Sequence, residues 1–292
     1  MWGFLVGVLA LSGLLAVLQL ATSLYMLAVY DQVVPERSGA ALAALTGLVV
    51  ALHVVAAVLD VMRARIVCQA GLSVAERLDG RVLVAPAAAA DARGFAMLDD
   101  VERVRRFLTS GGPCAAFDVL WLPVFIGAVF LLHPVLGLFA LTGAGLLAGL
   151  AVLGEASERR TGYRIAEARR DRYVLLGDLR MARWRSGDDV RLHWQRLSRS
   201  YSEATLAAQA RLLSVAAVGK GVRLTLQSGG FGLGALLAIE GMLSPGGLVA
   251  SSLMLMRVFA CLDGALTHWS GAMAAGESYG RLVEAAGPGR GS

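Results

Sequence analysis

AAFDVLWLPVFIGAVFLLHPVLGLFALTGAGLLAGLAVLG, residues 115–154, is a near-continuous apolar run whose one acid is Asp118. Drawn as a single straight helix it would measure about 60 Å at about 1.5 Å per residue, twice the roughly 30 Å hydrocarbon thickness of a bilayer. His133-Pro134 divides it, because a proline in a helix interior removes a donor and clashes with the preceding turn. The run therefore predicts a tight hairpin of two membrane-crossing helices, 115–132 and 134–154.

Outward from this hairpin the same signature recurs at 2–29, 39–60, 212–239 and 246–263, giving six crossings. Over 292 residues the hydrophobic fraction is 57% and the mean hydropathy +0.63, more apolar surface than a soluble domain can bury. Leu, Ala, Val and Gly dominate, and the apolar runs are too long for the strands of a membrane barrel, so helices span. The fold class expected is an all-α membrane protein. Trp2 to Val29 has no basic region before it and no small-residue cleavage site, which reads as a retained first span and not a signal peptide.

Charge follows topology. Of 27 Lys and Arg residues, eight lie between Val61 and Ala115 and thirteen between Glu155 and Arg211. The other connections, Tyr30 to Ser38, His133-Pro134 and Glu240 to Pro245, are short and carry almost no base. Under the positive-inside rule the two long loops, 61–114 and 155–211, are cytoplasmic, both termini are cytoplasmic, and the short turns face outward. The sequence pI of 9.5 reflects that asymmetry, and no nucleic-acid partner is expected.

The long loops read as helices. Ile66, Ala70, Val74 and Leu78 mark a helical period over Ala64 to Val84 that carries the second span past the membrane. Asp99 to Leu108 and Glu155 to Leu179 behave alike, with breaks at Pro86 to Gly94 and Ser186 to Asp189. Each loop is then two helices joined by a tip suited to docking a partner below the membrane, unless the loops merely solubilise the bundle.

Ionisable residues inside spans are the sharper signal, since a charge at membrane depth costs at least about 2.5 kcal/mol unless paired or wetted. Arg257 is deepest, about 18 Å along the sixth span from Pro245, with Asp263, Asp118 and Glu240 as available acids. Lys220, Arg223 and Gln227 share one helix face, about 30, 26 and 20 Å from Glu240. They read either as the polar wall of a translocation path or as interhelical pairing and snorkelling. Gly229, Gly230, Gly232 and Gly234, and the Gly145/Gly149 pair, allow close helix packing. His53, His133, His193 and His268 are scattered, Cys68, Cys114 and Cys261 lack pairing or metal spacing, and no catalytic, cofactor or metal site is expected.

Four strings carry a family resemblance: SLYMLAVYDQVVPERS at 23–38, LDVMRARIVCQAG at 59–71, FAMLDDVERVRRFLTSGGPCAAFDVLWLPVFIGAVFLLHPVLG at 95–137, and KGVRLTLQSGGFGLGALLAIEGMLSPGGLVASSLMLMR at 220–257. With six spans and two long helical loops, residues 20–285 resemble the type 1 transmembrane domain of an ABC exporter, within the type I protein-secretion permease/ATPases that export proteases, lipases and glycine-repeat proteins, and the domain expected spans 1–285. The resemblance implies a homodimer in the bacterial inner membrane, joined to a periplasmic membrane-fusion adaptor and an outer-membrane channel, passing an unfolded polypeptide. It places the turn of Tyr30, Asp31, Pro35 and Arg37 toward the adaptor. It also matches the tips bearing Arg93, Phe95, Arg185, Asp188 and Asp189 to the coupling helices that dock on nucleotide-binding domains.

Members of that family continue into a nucleotide-binding domain, whereas here residues 286–292 read as a flexible tail. There is no G-x-x-x-x-G-K-[ST], and the one lysine, Lys220, lies in an apolar helix. ATP and Mg are therefore expected only on a partner ATPase subunit, and this chain alone is not expected to be an enzyme. The second reading open from the sequence is a non-transporting scaffold, regulator or remnant of a split exporter. A neighbouring reading frame encoding a lone nucleotide-binding domain favours the permease, and its absence the scaffold.

Overall fold

The computed structural model describes residues 2–84, 92–154 and 187–286, and every regular element among them is helical. Eight helices organise the chain: α1 Trp2–Ala28, α2 Gly39–Val84, α3 Ala92–Leu108, α4 Gly112–Val119, α5 Leu122–Leu132, α6 Pro134–Gly154, α7 Gly187–Ile239 and α8 Pro245–Ala286. Five stretches are long and apolar enough to cross a membrane, and a sixth follows if the bent α4–α5 pair is one span. The all-α expectation holds.

The third crossing is not the straight helix that 115–132 suggests. It breaks at Leu120-Trp121 with a bend of 41°. Pro123 sits at the start of α5, where its ring would crowd the carbonyl of Val119 and its missing N–H would leave a gap in the ladder, so the helix restarts. His133 ends α5 in an extended conformation, as a residue before proline prefers, and its Nδ1 accepts from the Val135 N–H at 3.3 Å to cap α6.

The first connection also differs. The chain does not leave the helix at Tyr30: a π-turn over Val29–Val33 and a further turn at Val34–Glu36 prolong α1, so Tyr30, Asp31 and Pro35 are helical and only Arg37-Ser38 turns. Arg37 takes the left-handed conformation with φ 50°, and the Ser38 hydroxyl receives the Ala41 N–H at 3.3 Å, opening α2. At the last connection Gly241, with φ +72°, closes α7: Met242 N–H reaches the Leu237 carbonyl at 2.9 Å and Gly241 N–H that of Ala238 at 3.1 Å, the paired bonds of a Schellman motif.

Helix α8 is the organising post, touching α1, α2, α3, α4, α5 and α7. Its inner stripe of Met254, Leu255, Val258, Phe259 and Leu262 packs with Phe125 and Val129 of α5, Leu136, Ala140 and Ala144 of α6, and Leu237 of α7. A second cluster forms further along, where Ala275 and Leu282 meet Val101 and Val104 of α3 and Leu78 of α2. Gly71 permits the α2–α3 approach: a Cβ there would lie 2.7 Å from the Leu108 carbonyl oxygen. With 46, 53 and 42 residues, α2, α7 and α8 run about 69, 80 and 63 Å, more than twice a hydrocarbon core, so each projects well beyond the membrane.

Candidate functional site

The polar residues of the spans converge on the half of the bundle away from the short turns. Arg63 of α2, 5% exposed, is the hub. Its guanidinium pairs with Asp118 of α4, donates to Asp60 Oδ1 at 2.8 Å, and reaches the buried Ser12 hydroxyl of α1 at 3.2 Å. Three helices are thereby pinned by one cation. Gly13, beside Ser12, lies under the indole of Trp121, whose ring leaves no room for a Cβ there. The α4–α5 break places Trp121 on that glycine.

The acids offered to Arg257 are taken by others. Asp118 is bound by Arg63, and Asp263 pairs with Arg223 of α7. Glu240 lies at the α7 terminus, remote along the helix. Arg257 itself has no ion pair among the described residues; it lines a cavity of about 190 Å³ together with Gln19, Asp118, Trp121 and Phe125. The same-face set divides accordingly: Arg223 is half-buried and paired, Gln227 is half-buried, and Lys220 is exposed without an ion pair to the described residues.

At the turn end, Asp31 is spent on structure. Its Oδ1 accepts from the Gly246 N–H at 2.8 Å and its Oδ2 from the Ser244 hydroxyl at 2.6 Å, so the first turn caps the amino terminus of α8 from more than two hundred residues away. Tyr30, Pro35 and Arg37 are exposed beside it. At the opposite end Arg93 and Phe95 fall in the first turn of α3 and Asp188 and Asp189 in that of α7, while Arg185 lies outside the described residues. Asp100 of α3 binds Arg281 at 2.6 Å and the buried Ser278 at 2.9 Å, and Arg105 pairs with Asp79, tying the first long loop to α2 and α8. Among the described residues no group of His, Cys, Asp and Glu could hold a metal ion.

Comparison with known proteins meets this geometry. The chain is 33% identical over 289 residues to the "Type I secretion system ATP-binding protein PrsD" of Rhizobium meliloti (strain 1021), a match covering 96% of this chain and 50% of that protein. The likeness is that of a transmembrane portion of a type I secretion ABC exporter. The chain spans about half the length of this exporter relative, and no protein-family profile matches it. This likeness, together with helices long and apolar enough to cross a bilayer, is that of a membrane protein.

Sequence reasoning missed Arg63, Ser12, Gln19 and Trp121 as members of the polar site. Arg63 falls three residues past the span boundary at 60, among the loop charges, although Asp118, an acid in an apolar run, calls for such a cation.

Proposed function

We propose that this chain is the permease part of a type I secretion exporter, two copies enclosing a path for an unfolded polypeptide. ATP hydrolysis is supplied by a nucleotide-binding domain or subunit outside these residues. The observation that carries this reading is the likeness of 96% of this chain to half of a type I secretion protein, set on helices longer than a membrane is thick. Those projecting ends, opened by Arg93 and Phe95 on α3 and Asp188 and Asp189 on α7, with Arg185 just before, are the docking tips for the ATPase. The wall of the path in the projecting half is formed by Lys220, Gln227 and Arg257, with Arg223 held back by Asp263.

In this reading the adaptor and outer-membrane channel meet the short-turn end, where Tyr30, Pro35 and Arg37 are free to contact them and Asp31 holds the turn in place. The inner membrane of a bacterium, with both termini cytoplasmic, follows from the positive-inside asymmetry. The test is purification of the tagged chain from its native membrane, mass spectrometry of what remains bound, and an ATPase assay in lipid. A stoichiometric nucleotide-binding protein with vanadate-sensitive activity is expected. A homo-oligomer with neither ATPase nor adaptor would leave the scaffold reading instead.

A further inference from the structure

We infer that the cavity between α1, α4, α5 and α8 is a binding site for one carboxylate side chain of a polypeptide, received by Arg257. Three observations converge on it. First, Arg257 lies about 18 Å along α8, at a depth where a cation demands a counter-charge, yet it has no ion pair among the described residues. The acids near it are already engaged, Asp118 by Arg63 and Asp263 by Arg223, so among the described residues no counter-ion is left for it. Second, Trp121 lines the same cavity, and its Nε1 is buried without an acceptor among the described residues. A donor so placed is satisfied by an incoming oxygen. Third, the cavity, of about 190 Å³, is large enough for an Asp or Glu side chain, and its lining combines the apolar Phe125 and Ala16 with the polar Gln19 and Arg257.

Depth decides the source of the anion. A lipid phosphate stays at the headgroup level, whereas Arg257 lies about 18 Å along α8 from Pro245, inside a roughly 30 Å hydrocarbon layer. Asp118, on the cavity wall with its charge held by Arg63, selects against a second negative charge, so a single carboxylate is accepted and a dianionic phosphate is disfavoured. The inference rests on the permease reading for the polypeptide's origin, but binding is measurable without ATP hydrolysis or export. Carboxylate binding without a co-purifying ATPase would sink the permease reading alone; ATP-dependent export by a native chain that shows no preference for the Glu peptide would sink this inference alone.

The experiment uses the whole chain in phosphatidylcholine nanodiscs and a terminally blocked hexapeptide bearing one Glu and a neutral fluorophore, with its Gln twin as control, read by anisotropy. The Glu peptide is expected to bind about tenfold more tightly than its twin, the worth of a hydrogen bond to a charged group. Arg257→Gln should erase that preference and Arg257→Lys should keep most of it. Trp121→Phe, which removes the donor and keeps the ring, should reduce it about threefold and reads the site even if Arg257→Gln fails to fold. Equal affinity for the two peptides, or a preference unchanged in both Arg257→Gln and Trp121→Phe, overturns the inference. So does abolition of the preference when phosphatidylglycerol is added to the discs, which would make lipid the occupant.

Discussion

Replacing Arg63 by Met removes the one cation that joins α1, α2 and α4, while preserving the length and much of the apolar volume of its stem. Three groups then lose a partner: Asp118, with its side chain 36% exposed, Asp60, which is well exposed, and the Ser12 hydroxyl, which is buried. Breaking a fully buried ion pair from one side costs about 3–5 kcal/mol. Screening at the half-exposed Asp118 lowers that, and Asp60 contributes little, so the expected cost is about 2–3 kcal/mol. Unfolding in mixed SDS micelles, followed by far-UV circular dichroism, measures it. The double variant Arg63→Met/Asp118→Leu, which leaves no lone charge facing an apolar wall, should recover to within about 1 kcal/mol of the native protein. A single variant as stable as the native chain, or a double variant worse than the sum of its singles, would refute the view that this pair pins the three helices.

Further outcomes follow from the same contacts. Asp31→Ala should cost about 1–2 kcal/mol by stripping both caps from α8, and Asp31→Asn less, since one acceptor oxygen survives; the same unfolding assay separates them. Gly71→Ala should destabilise by about 1–3 kcal/mol, because the new methyl meets backbone oxygen of Leu108, whereas Gly80→Ala, facing open space, should be neutral or slightly stabilising. Asp100→Ala leaves Arg281 and the buried Ser278 without their acceptor and should loosen the α3–α8 contact by about 2 kcal/mol, visible as faster amide exchange in α3.

Much of the architecture was legible because its causes are local. Proline at 134 and the apolar runs around it dictate a hairpin, and Gly241 stops a helix through its own backbone freedom. The break at Leu120-Trp121 was equally local, since Pro123 stands in the run, but hydropathy averages over it. What stayed hidden depends on register between distant helices. Nothing in the sequence near residue 31 says that its carboxylate caps a helix beginning at 245. Nor does spacing along α8 reveal that Asp263 serves Arg223 and leaves Arg257 to a cavity, because a rotation of one helix by a single residue would exchange those partners. The candidate site was thus half visible: its ionisable residues stand out against apolar surroundings, and their pairing does not.

The central claim is that a polypeptide crosses between these helices, and photocrosslinking from inside the living cell's membrane tests it most directly. A benzophenone amino acid at Ala260, on the cavity wall, is trapped with vanadate and compared with one at Val54, exposed on α2. The account predicts a polypeptide adduct at Ala260, absent at Val54 and lost when the ATPase is inactivated. Adducts to lipid alone at both positions would contradict it.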